Sequence, residues 1–444
     1  MNNQNQIYDV IGVGFGPANI AVAIAFEEME FKGSVKFLES RKNSIWQENM
    51  LFENSDIQNH PLRDLVTPRN PRSKYSFTNF LFENDRLYEH LNTGLHLPFR
   101  LEYAQYIAWV VEHFTHLVEY NSRVEMIELI QDKDEMDVYK ISDQNGATYY
   151  SYSVIVAPGR EPNIPEIYQN VHSERIIHLT NFLKTINELP TESLKRIAVV
   201  GGSQSAVEII LYLSEMFPES DVIGLTRVFG YKQKDVNPFT GEVYYPSFVN
   251  LFHKSDDATK KRLIDDLNLT NYSASDADVL DELYHKMYKQ KITNKQKISI
   301  HRSAEIKSVK SEAEDVIQLL ISKVECEDPL EEKVNLVILA TGFKNFGIGI
   351  NDERFPKILR GLYDHLAIEE NDFLRINLDY SVPMTNGKIA SCFLNGLCES
   401  SHGMGDAGSF SLLALRSGEI VKKVITNLNV LKTNNKRNEK LIYG

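Results

Sequence analysis

The sequence predicts an α/β protein with two separate parallel-sheet units and a smaller helical insertion. The first unit has a β-rich run at 7–11, a glycine turn, a helix-compatible stretch at 19–29 and a β-rich run at 35–39. That order within about 35 residues is typical of a parallel β-α-β crossover. A second unit repeats the order at 196–225. The glycine turns begin at Gly12 and Gly201, 201 − 12 = 189 residues apart, which indicates two nucleotide-sized sites in two domains.

Between these units lie a long loop and a helix. Residues 43–100 are irregular and contain four prolines among many aromatic side chains, which favours a functional loop over disorder. The stretch 102–120 then shows apolar residues at helical spacing, with Tyr106 and Trp109 on one face. For that aromatic stripe we expect core packing and not a ligand site.

Two groups of short strands share a pattern. The first group has predicted strands at 124–130, 136–141, 148–152 and 154–159. The second group has predicted strands at 316–321, 323–325 and 336–342. Each group is a meander followed by a buried strand that stops at Ala-x-Gly, so each is expected to sit beside one of the two crossover units.

Composition and charge exclude several classes of partner. The 444 residues carry 48 Lys and Arg against 61 Asp and Glu, a net charge of −13, which argues against nucleic-acid and anionic membrane surfaces. No apolar run reaches the ~18 residues of a bilayer span, and residues 1–6 do not resemble a signal peptide. Three cysteines without a CxxC pair favour a reducing compartment, so we expect a cytoplasmic protein.

The first glycine turn carries a nucleotide-binding pattern. Gly12, Gly14 and Gly16 form a variant of G-x-G-x-x-G in which Pro17 takes the last position. Glycines permit the tight turn and let a pyrophosphate approach the N–H groups at the start of the following helix. Glu39 follows the last glycine by 39 − 16 = 23 residues, close to the ~20-residue spacing of a ribose-binding carboxylate. The alternative is a plain tight turn without a ligand.

The second glycine turn is a looser match, because serine replaces its middle glycine. Its candidate cofactor-binding residues are Gly201, Ser203, Gln204 and Ser205. Arg227 or Lys232 follows the next strand, where either cation could neutralise a 2′-phosphate. Since no acidic residue stands at the tip of that strand, the pattern favours NADPH over NADH. A structural turn with an unrelated surface arginine is the alternative.

Five motifs occur in order along the chain, and the first of them contains the first glycine turn. They are GVGFGPAN at 12–19, DLVTPRNPRSKYSF at 64–77, TNYS at 270–273, ATGF at 340–343 and SHGMGD at 401–406. In this combination the chain resembles the ornithine and lysine N-hydroxylases of siderophore biosynthesis. The resemblance implies a monooxygenase that uses FAD, NADPH and O2 to hydroxylate a primary amine through a C4a-hydroperoxyflavin. Such chemistry requires a dry pocket but no obligatory nucleophile, acid/base pair or metal.

The resemblance also implies domains and partners. Residues 1–190 and 301–444 are predicted to form a Rossmann-like FAD-binding domain in two parts. Residues 191–300 are predicted to form a Rossmann-like NADPH-binding domain, with a helical substrate-binding insertion at about 231–295. The expected partner is a small amine or amino-acid substrate, and the family implies a homo-oligomer, either a dimer or a tetramer.

Individual site residues follow from the aligned motifs. Gln58 matches the family's glutamine beside the flavin C4a region, and it is a catalytic candidate together with Asn271. Trp46 and His60 lie in the same flavin-contacting loop; His60 either contacts flavin or substrate, or caps a turn before Pro61. The remaining cofactor-binding candidates are Thr341, Gly342, His402, Gly403 and Asp406.

The chain departs from the family pattern at the amine substrate. Arg63 aligns with a lysine that pairs with the α-carboxylate of ornithine, and arginine can bind a carboxylate through two hydrogen bonds. Gly241 aligns with a pocket asparagine, the second pocket asparagine survives as Asn271, and Ser409 lies in an altered C-terminal segment. These four residues are the substrate-binding candidates.

Several interpretations of the departures stay open. The enzyme is either an ornithine hydroxylase with altered contacts or an enzyme for another amine, such as aspartate oxidised toward nitrosuccinate. An S-oxygenating or Baeyer–Villiger flavin monooxygenase is a rival enzyme, and a nucleotide-binding regulatory protein is a rival without catalysis.

Overall fold

The computed structural model describes residues 6–132, 136–324, 328–347, 349, 352–370, 372–385 and 391–442, so that Cys326 lies outside the described residues. The strands are β1 (Ile7–Val13), β2 (Val35–Leu38), β3 (Val118–Glu119), β4 (Val124–Gln131), β5 (Asp137–Asp143), β6 (Thr148–Val156), β7 (Ile176–His178), β8 (Arg196–Val200), β9 (Asp221–Leu225), β10 (Ile298–His301), β11 (Ala304–Ala313), β12 (Val316–Lys323), β13 (Leu330–Val334), β14 (Leu336–Leu339) and β15 (Cys392–Leu394). The α-helices are α1 (Pro17–Glu28), α2 (Phe77–Glu83), α3 (Leu87–Thr93), α4 (Arg100–Glu112), α5 (Glu166–Gln169), α6 (Phe182–Glu188), α7 (Gln204–Met216), α8 (Pro246–Lys254), α9 (Asp257–Leu267), α10 (Ala277–Ile292), α11 (Glu399–His402), α12 (Met404–Ala407) and α13 (Leu413–Ile442).

The first sheet surrounds β1. Strands β3, β2, β1 and β6 run parallel in that order. The opposite edge of β6 pairs with β5 near its start and with β15 near its end, and β5 continues into an antiparallel pair with β4. Thr148–Val156 is therefore one strand where the sequence predicted two, because two partners occupy successive stretches of one edge.

The second sheet has the order β10, β9, β8, β14, β7, with all neighbours parallel. The antiparallel sheet β11–β13 precedes β14 along the chain. β7 and β14 belong to this sheet although they lie outside residues 191–300, so the sheet extends beyond the predicted division at residues 190 and 300, and the domain assignment stays a prediction. A short buried strand carries no local signal for which of two sheets it joins, whereas the pairing of Val337 with Ala198 settles it here. The predicted α/β class with two Rossmann-like sheets is confirmed.

The predicted helices are present but differ in extent. The helix expected at 102–120 is α4, which ends at Glu112 because Val118–Glu119 pairs with β2 as a short strand. The region expected to be a helical insertion contains α8, α9 and α10. Of these, α10 buries Val279 and Leu283 in the core of the second sheet, so the insertion that stands apart ends before it.

Helix α1 anchors the first core because its apolar residues are buried on every side. Residues 20–25 are at most 1% exposed, between the first sheet and the long helix α13. The aromatic stripe of α4 is core, as expected, and Tyr103 and Tyr106 are fully buried. None of the described helices combines the length and the apolar character that a bilayer crossing requires.

Candidate active site

Both glycine turns are packed in the same way against the end of a neighbouring strand. Gly14 has a φ of +82°, and a Cβ at this position would lie 2.4 Å from the carbonyl oxygen of Ala157. A Cβ on Gly201 would lie 2.4 Å from the carbonyl oxygen of Ala340. A side chain at either glycine would collide with backbone, and the positive φ is a second reason for glycine at position 14. The two Ala-x-Gly sequences thus form equivalent supports for the two turns.

Each turn leads into a helix whose start is uncapped. Neither α1 nor α7 has a capping side chain or an acidic residue in its first turn. The first N–H groups of such a helix lack partners within the helix, and with the helix dipole they favour an anion. A Cβ on Gly16 would meet no atom of the described chain within 4 Å, so space lies open beside α1. The start of α1 therefore fits the pyrophosphate of a dinucleotide. The start of α7 has the same dipole, although the N–H of Gln204 donates to the carbonyl oxygen of Ala274 at 3.1 Å.

Glu39 follows β2 and holds its buried carboxylate against the first turn. Its Oε2 accepts the N–H of Phe15 at 2.7 Å, and its Oε1 accepts the N–H of Arg41 at 3.0 Å. Its Oε1 also accepts the Arg41 Nε–H at 3.2 Å and the Ser40 hydroxyl at 3.3 Å, whereas Oε2 accepts a single hydrogen bond and keeps one acceptor position for a ribose hydroxyl. The ribose contact of Glu39 stays a prediction.

In the second turn, the side chain of one candidate, Gln204, is bound by the protein itself. The Gln204 side chain is 6% exposed, and both ends of its amide bind protein. Its Oε1 accepts the N–H of Asp276 at 2.8 Å, and its Nε2 donates to Glu208 Oε1 at 3.1 Å. This side chain is therefore bound inside the protein, and the NADPH contact of Gln204 stays a prediction. Ser203 and Ser205, on the same turn, are half-buried, and their cofactor contacts stay predictions.

Cations gather where β9 and β10 end. Arg227 and Lys232 are exposed, as expected for a 2′-phosphate site. Arg302, which sequence reasoning missed, lies beside Arg227, because the N–H of Ser303 donates to the carbonyl oxygen of Val228 at 3.0 Å. Within the described part of the chain, neither arginine pairs with a carboxylate, so both guanidinium groups are available to a phosphate.

The two connections between the sheets are hydrogen-bonded to each other. The N–H of Asn163 donates to the carbonyl oxygen of Gly342 at 3.0 Å, and the Thr341 hydroxyl donates to the carbonyl oxygen of Asn163. Pro162 and Phe343 add an antiparallel bridge. Thr341 and Gly342 thus lie at the paired crossing of the chain, and their cofactor contacts stay predictions.

The loop at 46–63 enters the region between the two sheets. Gln58 has a φ of +49°, and its Nε2 donates to Asp276 Oδ2 at 2.7 Å. Trp46 is half-buried, with ring-centre distances of 5.9 Å to Tyr103 and 5.4 Å to Phe410. The structure therefore connects this loop both to the second sheet's helices and to the C-terminal segment.

His60 caps a turn, which is one of the alternatives for this residue. Its Nδ1 accepts the N–H of Leu62 at 3.2 Å, and the ring is otherwise exposed. Partial burial, followed by the charges of Arg63 and His96, lowers the pKa of His60. The ring is thereby kept in the neutral form that can accept this hydrogen bond. Its flavin contact stays a prediction.

Arg63 belongs to a polar cluster formed by the loop, the insertion and the C-terminal segment. Its guanidinium carbon lies 5.3 Å from the centre of the Tyr244 ring, and its Nη1 lies 3.4 Å from Ser411 Oγ. Tyr244 Oη lies 2.9 Å from the carbonyl oxygen of Thr270 and 3.4 Å from Asn271 Oδ1. Burial raises the pKa of Tyr244 to about 12, so its hydroxyl stays protonated.

Of the remaining substrate candidates, Ser409 is hydrogen-bonded to this cluster, whereas Gly241 only lies near it in sequence. Ser409 Oγ donates to Ser411 Oγ at 2.8 Å, so the second serine links it to Arg63. Gly241 lies in the same short 3-10 helix as Tyr244 (Thr240–Tyr244), where a Cβ would meet no described atom within 4 Å. Within the described ranges no carboxylate pairs with Arg63. The cluster therefore presents an unpaired cation framed by hydroxyl and amide groups.

The C-terminal cofactor candidates are packed inside the protein. His402 has no exposed surface, its ring stacks on Tyr380 at 4.3 Å, and burial lowers the pKa of His402 to about 3. Asp406 is 1% exposed and pairs with Arg416 at 3.1 Å. Gly403 is buried beside a phenylalanine ring. In this structure the side chains of His402 and Asp406 bind to the protein itself, and their cofactor contacts stay predictions.

Sequence reasoning missed Tyr244, Ser411, Asp276 and Arg302. An aspartate directly before a helical run is a recognisable N-cap signal, so Asp276 could have been found as a structural residue. The other three have no local signal, since they matter through contacts between distant segments. No cluster of three or more His, Cys, Asp or Glu side chains in the described residues is arranged to hold a metal.

Comparison with known proteins agrees with this geometry. The sequence model of the family described as L-lysine 6-monooxygenase/L-ornithine 5-monooxygenase matches residues 6–345. An L-ornithine N(5)-monooxygenase from Pseudomonas aeruginosa is 30% identical over 424 residues, covering 93% of each chain. Another from Ajellomyces capsulatus is 31% identical over 442 residues, covering 95% of this chain and 91% of the relative.

Solved structures show the same architecture. The ornithine hydroxylase of Pseudomonas aeruginosa superposes with a TM-score of 0.87 at 28% identity, covering 95% of this chain and all of that one. The ornithine N-hydroxylase of Kutzneria sp. 744, in a structure with reduced FAD, NADP+ and L-ornithine, gives 0.87 at 28% identity over 95% and 99% of the two chains. The chain therefore belongs to the L-lysine 6-monooxygenase/L-ornithine 5-monooxygenase family, the flavin-dependent N-hydroxylating enzymes that its motifs resemble.

Proposed function

We propose that the first sheet binds FAD, that the second binds NADPH, and that the enzyme hydroxylates the primary amine of a small amino acid for a siderophore or another natural product. The two uncapped helix starts, each beside a glycine turn, support two dinucleotide sites. Bound FAD, once reduced by NADPH, supplies activated oxygen from O2. The chain's own residues bind and orient the amine and exclude water.

The observation that carries the proposal is the unpaired Arg63 in the polar cluster. Its guanidinium lies over Tyr244 and near Ser411, with no carboxylate partner among the described residues. A guanidinium can form two parallel hydrogen bonds with the α-carboxylate of an amino acid. Asn271, held by Tyr244 on the same side, is then placed to bind the amino groups of that substrate.

A panel of amines tests the activity itself. FAD-loaded enzyme is incubated with NADPH and with ornithine, lysine, putrescine, cadaverine or aspartate, and both O2 uptake and hydroxylamine product are measured. We expect hydroxylamine from at least one diamino acid, in proportion to the NADPH consumed. Oxygen uptake that yields only H2O2 with every amine contradicts the proposal, as does transfer of oxygen to sulfide or ketone controls instead.

The role of Arg63 is tested by removing its charge. We expect Arg63→Ala to raise KM for the diamino acid by about 10–100-fold, the range that loss of a charged hydrogen-bonded contact produces. The matched control is the corresponding diamine, which lacks the carboxylate, so its KM should be unchanged. An equal rise for diamino acid and diamine would show that Arg63 acts on the fold of the site and not on the carboxylate.

Several finer assignments belong to the same proposal. Arg227 and Arg302 support NADPH over NADH, because both stand unpaired at the ends of neighbouring strands in the described chain. The buried free thiols of Cys392 and Cys398 support a reducing, cytoplasmic compartment. A homo-oligomer is expected from the family and is measured by sedimentation. Aspartate as substrate has no support, since the relatives described above are named for ornithine and lysine.

A further inference from the structure

A chain of polar side chains connects the second nucleotide turn to the loop that carries Gln58. Arg100 Nη2 lies 2.9 Å from both carboxylate oxygens of Glu208, whose Oε1 accepts Gln204 Nε2 at 3.1 Å. Gln204 Oε1 accepts the N–H of Asp276 at 2.8 Å, and Asp276 Oδ2 accepts Gln58 Nε2 at 2.7 Å. Because Arg100, Glu208 and Gln204 are each less than 9% exposed, water does not compete for most of these bonds.

The hydrogen bond between Gln58 and Asp276 determines the orientation of the Gln58 amide. An ionised carboxylate only accepts hydrogen bonds, whereas a glutamine amide donates from its nitrogen and accepts at its oxygen. The Gln58 nitrogen must therefore face Asp276, and its Oε1 must face away. Within the described part of the chain no donor reaches this Oε1. Gln58 thus presents one free acceptor of defined position.

Gln204, which belongs to the same series of hydrogen-bonded side chains, lies at the start of α7. Gln204 is the first residue of that helix and directly follows the second glycine turn. Its backbone N–H donates to the carbonyl oxygen of Ala274 at 3.1 Å and its side chain accepts the N–H of Asp276, so the start of α7 holds the segment that directly precedes α10. A nucleotide that orders the start of α7 therefore also orders the group that holds Gln58.

We propose that Asp276 is a positioning residue that orients the Gln58 amide and couples this orientation to nucleotide binding at the second turn. The inference rests on the proposed function, in which Gln58 lies beside the flavin. Gln58 then offers its acceptor to the flavin and substrate only when the second turn is ordered. Coupling of this kind is reciprocal, so disturbing the Asp276–Gln58 bond also changes the response of the flavin to NADP+.

The test uses Asp276→Asn in the FAD-loaded enzyme. An asparagine of the same size can face Gln58 with its oxygen or its nitrogen, so the Gln58 amide is no longer held in one orientation. We expect hydroxylamine formed per NADPH consumed to fall by about tenfold, the order that loss of one charged hydrogen bond produces. The matched control is Asp278→Asn, which removes an exposed charge from the same helix turn and should leave this ratio unchanged.

A double-variant cycle separates positioning from general damage. Gln58→Ala is expected to lower the ratio as Asp276→Asn does, and the double variant should be no worse than Gln58→Ala alone, because the two residues act as one unit. Thermal unfolding and FAD content of Asp276→Asn should match those of the unaltered enzyme. Additive losses in the double variant, or an equal loss in Asp278→Asn, overturn the proposal.

A spectroscopic measurement distinguishes failure of this inference from failure of the proposed function. The change in the visible absorption of bound FAD on adding NADP+ needs no amine substrate. We expect this change to be reduced in Asp276→Asn and intact in Asp278→Asn. An unaltered enzyme that hydroxylates no amine contradicts the proposed function, whereas an NADP+ response that is identical in both variants contradicts the positioning role.

Discussion

Replacing Arg100 with methionine tests the buried ion pair that joins α4 to α7. The side chains of Arg100 and Glu208 retain 8% and 3% of their exposure, and Arg100 Nη1 also donates to the carbonyl oxygen of Met50 at 3.1 Å. Methionine fills part of the same volume but leaves the Glu208 carboxylate buried without a cation. Breaking a buried pair from one side costs about 3–5 kcal/mol, so we expect the free energy of unfolding to fall by that amount near pH 8.

The cost of the Arg100→Met substitution depends on pH. Burial raises the pKa of Glu208 above its ordinary value of 4.5, and Arg100 opposes that rise. Without Arg100 the pKa of Glu208 in the folded protein rises further. An acid with a raised folded pKa destabilises the fold increasingly as pH rises from its unfolded pKa to its folded one. The deficit of the variant is therefore smaller near pH 5 than near pH 8.

Urea unfolding of the FAD-loaded protein at both pH values measures this deficit, followed by circular dichroism and flavin fluorescence. The control is the double variant Arg100→Met with Glu208→Gln. It replaces the buried, unpaired carboxylate of Glu208 with a neutral amide and should regain part of the stability near pH 8. The reasoning is refuted by a deficit below about 1 kcal/mol near pH 8. A deficit that is the same at both pH values refutes it as well.

Three further outcomes follow from the structure. Gly14→Ala should yield protein with little FAD, seen in the flavin-to-protein absorbance ratio, because a Cβ would lie 2.4 Å from the Ala157 carbonyl oxygen; normal flavin content contradicts this. Arg227→Gln should raise KM for NADPH about tenfold and leave KM for NADH unchanged, and equal effects contradict a 2′-phosphate contact. Burial lowers the pKa of His402 to about 3 from an ordinary 6.5, so stability is lost as pH falls between those values. His402→Gln should flatten that loss by up to ~1.4 kcal/mol per pH unit in urea unfolding, and an unchanged slope contradicts the assignment.

Local patterns predicted the parts of the fold whose geometry is local. The turns at Gly14 and Gly201, the helices after them and the carboxylate of Glu39 each follow from residues within about 35 positions. The sheet that a strand joins depends on pairing between distant segments. For that reason the positions of β14 beside β8 and of β7 beside β14 could not be predicted, and the second sheet extends beyond the predicted division at residues 190 and 300.

The same difference between local patterns and contacts of distant segments applies to the candidate site. Motif alignment brought Gln58, Arg63 and Asn271 to notice, and the structure places the last two in one cluster. The burial of His402 could not be predicted, because it arises from packing against residues around 253 and 380, which are remote in sequence. The hydrogen bond from the backbone of residue 276 to the Gln204 side chain could not be predicted for the same reason.

The paired connections at 162–163 and 341–343 limit how the two halves of the molecule can move. Two backbone segments that are hydrogen-bonded side by side resist twisting of one half against the other, whereas a single flexible linker would not. A protease cut at either connection alone would leave the halves still attached.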